Sequence, residues 1–333
     1  MRKIKIAQIG VNTYSHSNEI FGSICKQSDI FEVVGYVLPE NEREKIPHKV
    51  NAYAEYKELT LYEVLNDPEI EAVTIETDEI YLTKYALMAA KAGKHIHMEK
   101  PGGEDLAEFA ELIHVMKETG KVLHIGYIYR YNPEVQTLMK RIQDGQLGEI
   151  VSVEAQMNSN HPDQQRAFLS CFKGGITFFL GCHLIDLILQ IQGMPKRIIP
   201  MNKSTGKAGI NVIDYGMVLF EYDSGVSFAK TCSVEKGGFA RRQLVVTGTN
   251  GTVELKPLEM HSGTTLQYTG VTEYLMDDPA WNYMGKKRNS RDYDRYDDMM
   301  RNFAKMVRGE IANPYSLDYE FTLYKTILES CQI

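Results

Sequence analysis

The spacing of apolar residues changes character partway along the chain. Through residue 126, short apolar runs alternate with amphipathic ones. KIKIAQIG, FEVVGYVL, IEAVTIET, KHIHM and KVLHIGYIY read as strands buried on both faces. Between them, SNEIFGSICKQ, LTLYEVLND, IYLTKYALMAAKAG and DLAEFAELIHVMKETG repeat their apolar residues every three or four positions, as helices with one buried face do. In LTLYEVLND that face carries Leu61, Val64 and Leu65. Gly93 and Gly120 fall where a left-handed residue ends a helix. Strand and helix in regular succession predict crossover units and a doubly wound parallel sheet.

After about residue 127 the pattern becomes longer and two-residue in period. One helix comes first, in NPEVQTLMKRIQDGQLG. The runs EIVSVEAQM, INVIDYGMVLFEY, GVSFAKTCSV, RRQLVVTGTNGTVEL and TTLQYTGV then alternate as half-buried strands, with hairpin signals at YDSGVS and GTNGTVEL. A single helix, GGITFFLGCHLIDLILQIQG, interrupts them, and DRYDDMMRNFAKMVRG and LDYEFTLYKTILESCQ predict two final helices. The fold class is α/β: a doubly wound parallel sheet, then an α+β domain with an open, mostly antiparallel sheet. The expected domains are residues 1–125 and 126–333, with the last helices free to pack on either.

Bulk properties narrow the function. A chain of 333 residues suits two domains, and 43% hydrophobic with 24% charged residues is ordinary for a globular protein. A net charge of −7 without a basic block argues against nucleic acid as a partner. No apolar run approaches the roughly 20 residues that span a bilayer, and the basic start runs directly into a strand rather than a cleavable leader. The five cysteines stand far apart, so a zinc ribbon or redox dithiol is not expected and no metal site is read. The expectation is a soluble, cytoplasmic protein.

In an open parallel sheet, ligands bind at the carboxyl ends of the strands, near the point where strand order reverses. Those ends are read at IGVNTYSHS after the first strand, VLPEN after the second, ETDE after the fourth and MEKPGG after the fifth. Lys100 is thereby expected on the rim of the same crevice as Gly10. Pro101 cannot continue a ladder and biases Lys100 to extended backbone. A lysine so placed is a fixed cation able to donate or accept a proton; the plain alternative is a solvated lysine paired with Glu99.

The run EAVTIET through YALMAAKAGKHIHMEKP resembles the core signature of the glucose–fructose oxidoreductase / inositol dehydrogenase / MocA family of dehydrogenases. HIGYIYRYNPEVQTLMKRIQDGQLGEIVSVEAQ, the helix GGITFFLGCHLIDLILQIQG and the hairpin RRQLVVTGTNGTVEL resemble later parts of the family, in the right order. The resemblance implies a Rossmann domain that binds NAD or NADP and a second domain that carries the substrate pocket and, in many members, the interface of a homo-dimer or homo-tetramer. It implies hydride transfer between nicotinamide and a secondary alcohol or ketone of a sugar, cyclitol or similar small polar substrate. Lys100 corresponds to the active-site lysine and His183 to the catalytic histidine. The cofactor would meet Gly10, Val11, Asn12 and Ser15 in the first loop, Leu38 after the second strand, and Thr77, Asp78, Glu99 and Lys100 beyond. Tyr127, Arg130, Lys173 and Asp186 are candidates for the substrate; Asn132 shares the turn of Arg130, and Arg166 is a further polar candidate.

The chain departs from that family in three places. The G-x-G-x-x-G loop reads GVNTYS, so only Gly10 remains, with Asn12 and Ser15 at the other positions. Leu38 stands where an acid would hold the adenosine ribose, with Glu40 two residues on, and Thr77-Asp78 followed by Glu79 replaces Thr-Pro. Phe179 stands where an aspartate would sit one turn before His183, leaving Asp186, His161 or Tyr127 to compensate. These departures keep a second reading open, a non-redox ligand-binding or regulatory protein on the same fold.

Overall fold

The computed structural model describes residues 2–263, 265–281 and 284–333. Thr264, in the predicted strand TTLQYTGV, and Asn282 and Tyr283, in the segment DDPAWNYMGKKRNSRDYDRY, lie outside the described residues. The chain divides into two compact units, Met1–Tyr127 with Tyr296–Lys325, and Ile128–Arg295 with Thr326–Ile333.

The first unit is built on five parallel strands, β1 (Ile4–Ile9), β2 (Phe31–Val37), β3 (Ala72–Ile75), β4 (His95–Met98) and β5 (Leu123–Ile125), in the order β2-β1-β3-β4-β5. All four residues of β3 are buried, as a central strand covered on both faces requires. The order reverses between β1 and β3, which puts the switch point at their carboxyl ends. One count needs correction: ETDE follows the third strand and MEKPGG the fourth. The connection from β2 to β3 is helical throughout its regular elements, α2 (Glu42–Lys45), α3 (Pro47–Val50) and α4 (Leu61–Asn66). The last of these opens on a capping box, in which Thr60 and Glu63 each satisfy the other's backbone amide.

The remaining helices of this unit are α1 (Ser17–Lys26), which precedes β2, then α5 (Leu82–Lys91) and α6 (Leu106–Thr119). Ala86, Ala89 and Ala90 are buried on α5 alongside Leu82, Tyr85 and Leu87. Asp105 caps α6 by accepting from the amides of Ala107 and Glu108 at 2.8 and 3.0 Å, and Gly120 closes it with φ 63°. The returning segment is tied down by specific contacts. Asp297, at the start of the helix Asp297–Val307, accepts from Ser23 at 2.9 Å, and Tyr324 donates to the carbonyl of Gly103 at 2.7 Å while stacking on Phe109 at 3.9 Å.

The second unit holds α7 (Pro133–Gln143), α8 (Asp163–Phe168) and α9 (Cys182–Gln192) with an eight-stranded sheet. Its strands are β6 (Ile150–Asn158), β7 (Arg197–Pro200), β8 (Tyr215–Glu221), β9 (Val226–Cys232), β10 (Gln243–Gly248), β11 (Gly251–Leu255), β14 (Gly270–Leu275) and β15 (Lys286–Asn289), in the order β15-β14-β11-β10-β6-β9-β8-β7. The two intervening strands, β12 (Met260–His261) and β13 (Gln267–Tyr268), form a separate ribbon. Every neighbouring pair in the large sheet is antiparallel except β6 with β9. In β8 the alternation is complete, with Gly216, Val218 and Phe220 buried between half-exposed neighbours. The long predicted helix around His183 is present and carries a π-helical turn, Thr177–Gly181, that runs directly into α9. The segment SNHPDQQRAF contains α8. Among the described residues no helix is long and apolar enough to cross a membrane.

Candidate functional site

The loop after β1 is shaped by one glycine. Gly10 has φ +88°, and a Cβ there would stand 2.7 Å from the backbone nitrogen of Thr77 and 2.8 Å from its Cα. No larger residue fits, so the ends of β1 and β3 meet at Gly10 and Thr77. Val11 and Asn12 are buried beyond it, and α1 begins only at Ser17, after a stretch of bends.

Most polar groups of this loop are engaged by the chain itself, though Asn12 Nδ2 is buried without a hydrogen-bond partner. Asn12 N–H donates to the hydroxyl of Ser17 at 3.3 Å. Thr13 N–H donates to Oδ1 of Asp78 at 2.7 Å, and the Thr13 hydroxyl donates to Oδ2 at 3.1 Å. The hydroxyl of Ser15 donates to Glu79. From α3, Lys49 Nζ donates to the Asn12 carbonyl at 2.8 Å, to Asn12 Oδ1 at 3.2 Å and to the Ser15 carbonyl at 2.9 Å. Glu42 accepts from the Glu40 amide at 2.8 Å. Burial pushes its carboxyl above the usual range, against the pull of the backbone amides of Glu40, Glu42 and Val11.

Behind the loop lies a buried set of ionisable groups. Glu76 is fully buried at the end of β3, with neither carboxyl oxygen hydrogen-bonded and His97 Nε2 3.7 Å away. Burial, with the nearby charge of Glu99, holds its pKa well above the ordinary value. Burial likewise pushes Glu79 up to about 7, against the pull of Lys100 and the Ser15 hydroxyl. Lys100 is 3% exposed, with Nζ 3.3 Å from Glu99 Oε1. An ammonium and three carboxyls therefore share the carboxyl ends of β3 and β4. Glu40, which stood in for the missing acid after β2, instead accepts from Tyr85 at 2.6 Å and Lys84 at 2.9 Å, while Leu38 is half-buried. Tyr127, just past β5, is 1% exposed.

In the second unit two substrate candidates hold each other. Arg130 donates from Nε to Asp186 Oδ2 at 2.9 Å and from Nη2 to Oδ1 at 2.8 Å, and Gln190 also donates to Oδ2 at 2.8 Å. Asn132 is consumed structurally: Oδ1 caps α7, and Nδ2 donates to the Leu258 carbonyl, Thr269 and Tyr293. Arg166, expected among polar pocket contacts, is fully buried and pairs with Asp214 at 2.7 Å. Lys173 is exposed.

His183 lies buried on α9, edge-on to Tyr129 with ring centroids 5.4 Å apart. The Tyr129 hydroxyl donates to Glu259 at 2.7 Å, and Glu259 also accepts from Arg242 at 2.6 Å and Arg295 at 2.8 Å. Burial would raise the Glu259 carboxyl, but the two guanidiniums outweigh it and hold its pKa below the usual range. Sequence reading missed this network; the aromatic run GYIYRYNP was its only local sign. Phe179 stacks on Phe172 with centroids 5.9 Å apart, so the position of the absent aspartate belongs to an aromatic cluster. His161 is half-buried, and burial with the charge of Arg242 lowers it to about 4.

Residues 4–127 match the model of an oxidoreductase family with an NAD-binding Rossmann fold, and residues 135–254 match the C-terminal domain of the same GFO/IDH/MocA family. Over 225 residues the chain is 26% identical to scyllo-inositol 2-dehydrogenase (NADP+) of Bacillus subtilis, covering 66% of this chain and 61% of that protein. Over 206 residues it is 27% identical to trans-1,2-dihydrobenzene-1,2-diol dehydrogenase of Bos taurus, covering 61% and 58%. The matched stretch thus spans less than two thirds of either relative. The fold is shared with an aldose-aldose oxidoreductase from Caulobacter crescentus complexed with glycerol, at TM-score 0.79 and 16% identity over 99% of this chain and 98% of that one. Two features that a dinucleotide site requires are present, the tight turn at Gly10 and the reversal of strand order beside it, while the Thr13 amide is held by Asp78. Two family models in succession, one on the parallel sheet and one on the antiparallel sheet, make the conclusion plain: the chain belongs to the Gfo/Idh/MocA family of oxidoreductases.

Proposed function

We propose that the protein is an NAD(P)-dependent dehydrogenase acting on a secondary alcohol, or the matching ketone, of a small polyhydroxylated substrate such as a cyclitol, sugar or dihydrodiol. The observation that carries this reading is Lys100, an ammonium 3% exposed at the end of β4 and set among Glu76, Glu79 and Glu99. Burying a lysine is costly, and charged groups so placed concentrate at functional sites. The two named relatives, one acting on scyllo-inositol and one on a dihydrobenzene diol, support the substrate class.

When bound, NAD or NADP supplies the hydride acceptor or donor. The first loop, with Gly10, Val11, Asn12 and Ser15, and the strand ends at Thr77 and Glu99 would hold it. His183 takes the hydroxyl proton as the carbinol C–H bond breaks and the carbonyl forms, and returns it in the reverse direction. Tyr129 fixes one edge of its ring. Lys100 stabilises the alkoxide that develops as the proton leaves. The second domain, from about residue 126, is assigned the substrate pocket and a homo-oligomer interface.

Incubating the protein with NAD+ or NADP+ and a panel of inositols, aldoses and cyclic diols tests the reading. Reduced cofactor should form with at least one substrate, and Lys100→Ala and His183→Ala should each lower turnover by about 10²-fold or more while leaving cofactor affinity largely intact. If both variants keep full turnover, the two roles are misassigned. The hold of Asp78 on Thr13 favours a second reading, a ligand-binding protein without redox activity, for which no reduced cofactor would form.

A further inference from the structure

We propose that Asp78 is an intramolecular competitor for the cofactor's pyrophosphate, so that this one carboxylate sets how tightly the dinucleotide binds. The inference rests on the dehydrogenase reading above. Backbone amides in a turn between strand and helix form a natural anion site. Here the anion already there belongs to the protein. Asp78 is anchored twice to one residue, by Thr13 N–H at 2.7 Å and the Thr13 hydroxyl at 3.1 Å.

The rest of the loop holds that arrangement in place. Lys49 pins the carbonyls of Asn12 and Ser15, which fixes the backbone in the conformation that offers Thr13 N–H to Asp78. Glu79 bonds Ser15 one residue beyond Asp78. A pyrophosphate entering this loop therefore exchanges with a carboxylate rather than with water, and meets like charge as it does so.

Replacing Asp78 separates these contributions. Asp78→Asn keeps an oxygen acceptor for Thr13 N–H and removes the charge; Asp78→Ala also frees the amide. Fluorescence titration of NADH and NADPH against the full-length protein should show Asp78→Asn binding tighter by at least about tenfold, the change given by roughly 1.4 kcal/mol of relieved repulsion. Asp78→Ala should gain at least as much. Asp144→Asn, an exposed acid after α7, should leave affinity unchanged. If Asp78→Ala does not fold, Asp78→Asn carries the test alone. Equal or weaker binding by the Asp78 variants, with the wild type still binding, overturns the competitor role and leaves the dehydrogenase reading standing. Absence of binding by the wild type and every variant overturns both.

Discussion

Arg130 and Asp186 are locked by two parallel hydrogen bonds, 2.9 and 2.8 Å long, with each side chain 1% exposed. Such a pair contributes little net stability when intact, because desolvation offsets attraction, yet breaking it strands a buried charge. Arg130→Met should cost about 3 to 5 kcal/mol in urea denaturation. The double change Arg130→Met with Asp186→Leu should recover most of that loss. If the single variant is as stable as the wild type, the pair is not a closed unit and one partner is available to substrate.

Glu79 and His97 oppose each other in their effect on stability against pH. Glu79 is raised to about 7 by burial, so the folded state keeps its proton while the unfolded chain releases it near the usual 4.5. Its contribution is fully present below about pH 4.5 and is lost as pH rises to 7, about 3 kcal/mol at 1.36 kcal/mol per unit. Glu76, also raised, adds to the same trend. Glu79→Gln should therefore stabilise the protein at pH 8 and change little at pH 4. Equal effects at the two pH values would mean that Glu79 is ionised in the folded state.

His97 is fully buried, and burial lowers it to about 3. Its Nδ1 lies 2.8 Å from Nδ1 of His124. The folded state excludes a proton that the unfolded chain binds below its ordinary 6.5. Stability from this group is present above 6.5 and falls with pH, by about 2 kcal/mol at pH 5. Between pH 4.5 and 6.5 the histidine and the glutamate nearly cancel. Relative to the wild type, His97→Gln should tilt the profile toward lower stability at higher pH, and Glu79→Gln should tilt it toward higher stability at higher pH. Identical slopes in both variants, measured by urea denaturation at pH 5 and 6.5, would contradict this pairing of opposed groups.

The parallel strands were legible because burial on both faces writes a continuous apolar run, as in Ala72–Ile75. The edge strand Lys286–Asn289 was not, since its four exposed residues carry no apolar period and only pairing with β14 makes it a strand. For the site, local signals served Gly10 and Lys100, where glycine, proline and charge lie within a few residues. Partners distant in sequence left no local mark: Asp78 is 65 residues from Thr13, Asp186 is 56 from Arg130, and Glu259 is 130 from Tyr129. Reading ETDE gave acids beside a crevice, but only the fold shows one of them aimed at a loop amide.

Thermal unfolding of the wild type and Asp78→Asn with NAD+, NADH, NADP+ and NADPH at millimolar concentration is the most direct measurement. A dinucleotide at 100 times its Kd adds about 2.7 kcal/mol of stability. At least one of the four should raise the Tm of the wild type, and should raise that of Asp78→Asn further at equal concentration. No shift in either protein with any of the four would contradict nicotinamide-dependent function.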